Sequence, residues 1–99
     1  MSQFDVHRAR ATGTLLVDCQ TNFLRHLPTR FVVPLLPLNE APIPAQRFNP
    51  IFSLNGSDYM LAPQYAGSVS AGDLGPVQDT LAEDYMRITA ALDFLIGGF

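Results

Sequence analysis

The chain has a single cysteine, few charged residues and no long apolar run, and each shortage removes a class of protein. With Cys19 alone, no internal disulfide can form and an oxidising compartment is not required. A cytoplasmic location is expected. Charged residues make up 15% of the sequence, against roughly 25% in an average soluble protein, which predicts that partners cover part of a weakly charged surface. Lysine and arginine together number six and the formal net charge is −3. No basic stripe can then neutralise a row of phosphates, so nucleic acid is not expected as a direct ligand of the protein alone. Nowhere do about eighteen apolar residues run together, and Met1-Ser2-Gln3-Phe4-Asp5 lacks the basic and apolar regions of a secretory signal; no membrane association is predicted. The histidines and acids show neither His-x-x-x-His nor Cys-x-x-Cys spacing, so no metal or other cofactor is expected. Gly72-Asp73-Leu74-Gly75 lacks the Lys and Ser/Thr of a phosphate loop and reads as a turn.

What is present suits one small β-rich domain. Its 99 residues are enough to bury roughly 60–70% of the surface exposed on unfolding. Phe4 and Val6 alternate with Gln3, Asp5 and His7, the period of a strand with one buried face. Ala11-Thr12-Gly13 is a turn candidate, and the apolar, β-branched stretch Thr14 to Gln20 completes a hairpin. Arg30-Phe31-Val32-Val33-Pro34-Leu35 is a third strand that Pro34 should end or place at an edge, because proline cannot donate to a ladder. Pro37, Pro42 and Pro44 predict an irregular excursion from about Leu36 to Arg47. The strongest local signal is Asn55-Gly56 between Phe48–Leu54 and Asp58–Leu61, a type I′ hairpin. Ser68-Val69-Ser70 adds a short strand, and the β region, which begins near residue 3, is expected to close at about 76.

The spacing then changes. Val77, Leu81, Tyr85, Ile88, Leu92, Leu95 and Phe99 step by threes and fours, one helical stripe. Thr80 with Glu83 has capping-box form and predicts a helix over about 80–96, with Gly97 and Gly98 stopping it and a tail at 97–99. Leu92 and Leu95 should dock the helix on the sheet. Ile96 and Phe99 flank two glycines that have no side chain to pack and leave the backbone open to close approach. An apolar terminus must either pack inward or meet another protein, and the latter is expected here.

Cys19 with His7 and His26 could be imagined as a thiol and its base, but Cys19 sits in a strand pattern where a small buried hydrophobe is ordinary. No catalytic residue is predicted.

Gln3-Phe4-Asp5-Val6, Leu16–Thr21, Thr29–Leu35, Ile51–Leu54, Met60-Leu61, Ala66–Val69 and Ala91–Phe99 follow one another in an order and spacing that resemble the CcdB family of toxins from toxin–antitoxin modules. The resemblance implies a mainly β fold with one C-terminal helix, an SH3-like, partly open antiparallel barrel of the CcdB/MazF toxin type, acting as a homodimer. It also implies a protein that is not an enzyme but binds the A subunit of DNA gyrase and traps the cleaved gyrase–DNA complex. A CcdA-like antitoxin would neutralise it and join it in repressing their operon. Carried onto this chain, the implied gyrase-binding positions are Asp93, Ile96, Gly97, Gly98 and Phe99, supported by Phe23 and Leu24. The best-known member has tryptophan just before the last glycine; this chain has no tryptophan, and Gly97 stands there. The alternatives are a ribonuclease toxin of the same fold, with Thr29 and Arg30 serving RNA, and a decayed toxin that only dimerises and binds antitoxin.

Overall fold

A computed structural model describes residues 1–45 and 48–98. Seven strands, β1 (Asp5–Ala9), β2 (Leu15–Asp18), β3 (Thr29–Pro37), β4 (Ile51–Leu54), β5 (Ser57–Leu61), β6 (Gly67–Ser70) and β7 (Leu74–Thr80), precede one helix, α1 (Tyr85–Gly97). They form one antiparallel sheet in the order β4-β5-β3-β2-β1-β7, with β6 also paired to β3, curled into a half-barrel that α1 packs against. This is the mainly β architecture with a C-terminal helix that the resemblance implied.

The two hairpins form as the turn chemistry predicts. Asn55 and Gly56 both take positive φ, 52° and 80°, and join β4 to β5 in the register Leu54↔Ser57. Between β1 and β2, Gly13 takes φ 76° and the Ala9 amide donates to Thr14 O at 2.8 Å.

Pro34 does not end β3 or place it at an edge, contrary to expectation. β3 runs on to Pro37 and is the central strand, paired with β2 on one side and with β6 and then β5 on the other. Alternation within an antiparallel ladder explains the tolerance. Cys19 N donates to Phe31 O, so the odd residues of β3 bond to β2 and Pro34 turns its nitrogen to the opposite side. There β6 has ended at Val32 and β5 has not begun, and the Pro34 carbonyl takes Ala62 N at 2.9 Å. No ladder bond is missing. The following excursion accordingly starts after Pro37 rather than at Leu36, and its expected end, Arg47, lies outside the described residues.

The region after Gly75 is a second correction. Val77 belongs to β7, opposite His7, and is half exposed rather than part of a helical stripe. Thr80 ends that strand; its hydroxyl accepts Ala82 N at 3.3 Å and opens a 3-10 turn, Ala82–Asp84, so the α-helix starts at Tyr85. Leu81 is buried as the stripe requires, with its amide on Phe4 O.

His7 also departs from simple alternation. The curled sheet is covered on both faces. Phe4, Val6, Leu15, Val17, Val33, Leu35, Phe52, Leu54 and Leu61 meet Leu81, Ile88 and Ala91 on the helix side. Leu16, Val32 and Leu74 form a smaller cluster opposite. His7 pairs with Leu16 and is buried with it.

Candidate functional site

The expected site residues divide into two groups. Ile88 and Ala91 fix the helix on the core, which turns Met86, Ala90, Asp93 and Gly97 outward at intervals of four, three and four. Arg87 and Asp93 are the only charged residues in α1. Arg87 bends back, donating to Ile51 O at 2.9 Å with its guanidinium 4.4 Å from the Phe52 ring centroid, and so covers the edge of β4. The outward face is therefore nearly uncharged. At the helix end Gly98 adopts φ 75° and its amide closes the last turn on Phe94 O at 3.0 Å. Phe94 packs its ring 5.8 Å from that of Phe48. Leu95 docks only in part and Leu92 more fully. Ile96 is 83% exposed, and leaving such a side chain in water forfeits about 1.5–3 kcal/mol of burial. Phe99, the last of the expected set, lies outside the described residues.

Phe23 and Leu24 sit in a 3-10 turn, Asn22–Leu24, between β2 and β3; Phe23 is 91% exposed. The segment carrying them is tied to the residues that precede β1, because Gln3 N donates to Asn22 Oδ1 at 2.9 Å. Next in sequence, Phe4 stacks 6.3 Å from Tyr85, the first residue of α1. The turn is thus bonded to the N-terminal segment whose Phe4 faces the first residue of the helix, whereas Ile96 stands at the helix end. Among the described residues no hydrogen bond, ion pair or ring contact links Phe23 or Leu24 to Asp93–Gly98 within one protomer.

Two candidate chemistries meet obstacles. Arg30 is 2% exposed, with Nε and Nη2 both donating to Asp18 Oδ2 at 2.9 and 2.6 Å. Its guanidinium is committed to the interior and cannot serve RNA alongside Thr29. Cys19 is buried, and burial, with the Asp18 carboxylate beside it, pushes its thiol up to about 12. His7 donates Nδ1–H to Gly75 O at 2.8 Å, since a carbonyl can only accept; its Nε2 is buried with no partner among the described residues. No hydrogen bond joins either histidine to Cys19.

The residues that sequence inspection missed are those that hold the turn. Gln20 N donates to Asp18 Oδ1 at 3.1 Å, Gln20 Nε2 to Leu24 O at 2.8 Å, and Phe31 N to Gln20 Oε1 at 3.0 Å. The Asp18–Arg30 pair and one glutamine thus fix the loop to β3. The only sequence signal was a charged residue at the end of each of two apolar strands.

The family model described as CcdB protein matches residues 3–98. The chain belongs to the CcdB family. It is thereby a toxin-class protein of the toxin–antitoxin type. Among solved structures it is similar to an endoribonuclease in complex with its cognate antitoxin from a mycobacterial species. The TM-score is 0.77 at 13% identity, over 98% of this chain and 93% of that one. At that identity the likeness shows the fold. No curated protein matches the chain.

Proposed function

We propose that this CcdB-family protein is a gyrase-poisoning toxin, a homodimer that binds the DNA gyrase A subunit through the outer end of α1 and traps the cleaved gyrase–DNA complex. The observation that carries this is the exposed, almost uncharged helix end: Ile96, Gly97 and Gly98, with Asp93 on the same outward surface. Phe94, Leu95 and Ile96 are 42%, 44% and 83% exposed in succession beside two bare glycines, and a contiguous apolar patch of this kind marks an interaction surface. Gly97 and Gly98 leave space for a partner's backbone or an aromatic side chain. Phe99 stands in the sequence where the best-known member ends on an aliphatic residue, and an aromatic there could restore part of the area that a tryptophan would supply. Phe23 and Leu24 give a second contact. The protein acts by binding and not as an enzyme, and a CcdA-like antitoxin, folding over the toxin, neutralises it and joins it in repressing their operon in the cytoplasm. The antitoxin seated on the structurally similar endoribonuclease supports such a partner.

The test is to incubate the purified protein with gyrase and supercoiled plasmid, and separately with labelled RNA. Linear plasmid released on denaturing the gyrase complex, lost when Gly98 and Phe99 are deleted from a chain that stays folded, is the expected result. RNA cleavage would establish the ribonuclease alternative. Neither activity, together with no growth arrest at high expression, would leave a decayed toxin that dimerises and binds antitoxin.

A further inference from the structure

The strand register gathers polar and charged groups at one margin of the sheet. Side chains along a strand alternate between faces, so Arg8 of β1 shares the helix-side face with Val6, and Pro37 of β3 shares it with Leu35. Pairing then sets Arg8 opposite Leu15, Leu15 opposite Leu35, and Pro37 opposite Tyr59. Past β3 the chain turns back, and Glu40 N donates to Pro37 O at 2.9 Å. A cavity of about 270 Å³ results, with buried Leu15 and Leu35 as its floor and Arg8, Thr14, Glu40 and Tyr59 around it.

Its two ends carry opposite charge. Arg8 Nη1 donates to Gly13 O at 2.7 Å, which holds the guanidinium over the β1–β2 turn. Glu40 follows β3 at the other end, and Asp58 lines an adjoining cleft that shares Pro37 and Tyr59 with this cavity. A strand spacing of about 4.8 Å sets β1 and β3 about 10 Å apart, and among the described residues no ion pair joins Arg8 to either acid. The remaining guanidinium nitrogens, both carboxylates and the Tyr59 hydroxyl make no hydrogen bond to a described residue.

We propose that this cavity binds a small carboxylic acid with an ammonium group at the far end of an aliphatic spacer, the form of free lysine. Its carboxylate meets Arg8 and the Thr14 hydroxyl, whose proton is free because Thr12 donates to it, and its terminal ammonium lies between Glu40 and Asp58. The methylene chain rests on Leu15 and Leu35. The volume falls below the roughly 300–1,000 Å³ of drug-sized sites, which favours a small molecule. One arginine against two acids does not suit a polyanion, and among the described residues no group of three ligands is placed to hold a metal ion. The site is separate from the outer end of α1 and rests on nothing in the gyrase reading.

The full chain, labelled with nitrogen-15, is titrated with L-lysine. The expected result is saturable amide shifts at Arg8, Thr12–Leu15, Glu40 and Tyr59, with affinity about tenfold or more lower for cadaverine, which lacks the carboxylate, and for norleucine, which lacks the terminal ammonium. Arg8→Gln should remove the preference for lysine over cadaverine, and Glu40→Gln should weaken the preference over norleucine. Neither should move the urea midpoint appreciably, since both side chains are exposed. Equal binding of the three ligands, shifts centred elsewhere, or no saturation by about 10 mM lysine would each overturn the proposal. So would tighter binding of Nα-acetyl-lysine, which would make the end of a protein chain the occupant.

Discussion

Arg30 grips one carboxylate oxygen of Asp18 twice, and both side chains are closed off from water on the minor face of the sheet, beside Leu16 and Val32. A buried pair of this kind contributes little net stability, because desolvation offsets the attraction, but removing one partner strands the other. Arg30→Met should therefore cost about 3–5 kcal/mol in urea unfolding. Adding Asp18→Leu should recover most of that loss. If the double variant is no more stable than Arg30→Met, the second oxygen of Asp18, which holds Gln20 N, matters more than charge neutralisation.

The two glycines of the β region that carry opposite constraints give a second comparison. A Cβ at Gly56 meets nothing within 4 Å, but φ is 80°, so Gly56→Ala costs only the backbone penalty, about 1–2 kcal/mol. At Gly75 φ is not the constraint: a Cβ would stand 2.9 Å from the Arg8 carbonyl, at the irregular pairing of β1 with β7. Gly75→Ala must push two strands apart and should destabilise more than Gly56→Ala, measured as the difference in thermal midpoints.

Most of this fold was legible because local chemistry and tertiary context agree. Asn55-Gly56 dictated its hairpin, and the spacing of Ile88, Leu92 and Leu95 dictated a helix. Every residue of β2 is buried, so alternation is lost there and the strand was legible from its apolar, β-branched content instead. The misjudged places are those where strand pairing overrides local pattern. Pro34 looked like an edge residue because sequence does not reveal that β6 and β5 leave a gap opposite its nitrogen. Val77 fell by chance on the helical spacing of the residues after it. At the site, the outward helix end could be read from its glycines, whereas the Asp18–Gln20 clamp depends on a diagonal pairing of β2 and β3 that sequence spacing does not encode.

That misjudgement at Val77 is itself testable. Leu81 is buried against the core, and Leu81→Ala should cost about 2–5 kcal/mol. Val77, half exposed on β7, should tolerate serine within about 1 kcal/mol. A helix extending back to 77 would instead make the two costs similar, which equilibrium urea unfolding distinguishes.

Cys19 should be inert. With its thiol pushed up to about 12, only roughly one part in ten thousand is thiolate at pH 8. Because the thiol of the unfolded chain ionises near 9.0, this group leaves stability unchanged below that pH and lowers it as pH rises from there to about 12. A thiol-reactive dye at pH 8 should label the native protein no faster than global unfolding permits, and label it fully in urea. Rapid labelling of the folded chain would show that the end of β2 opens locally.

Phe23 and Ile96 should separate binding from stability. Both are largely exposed, so Phe23→Ser and Ile96→Ser should each change unfolding free energy by about 0.5 kcal/mol or less. Each should weaken binding to the gyrase A subunit about tenfold or more if it lies at the centre of the contact. Among the described residues no hydrogen bond, ion pair or ring contact joins Phe23 to the helix end that carries Ile96, so the two losses should add within about 0.5 kcal/mol in the double variant. Marked non-additivity would mean that the two groups meet one side chain of the partner.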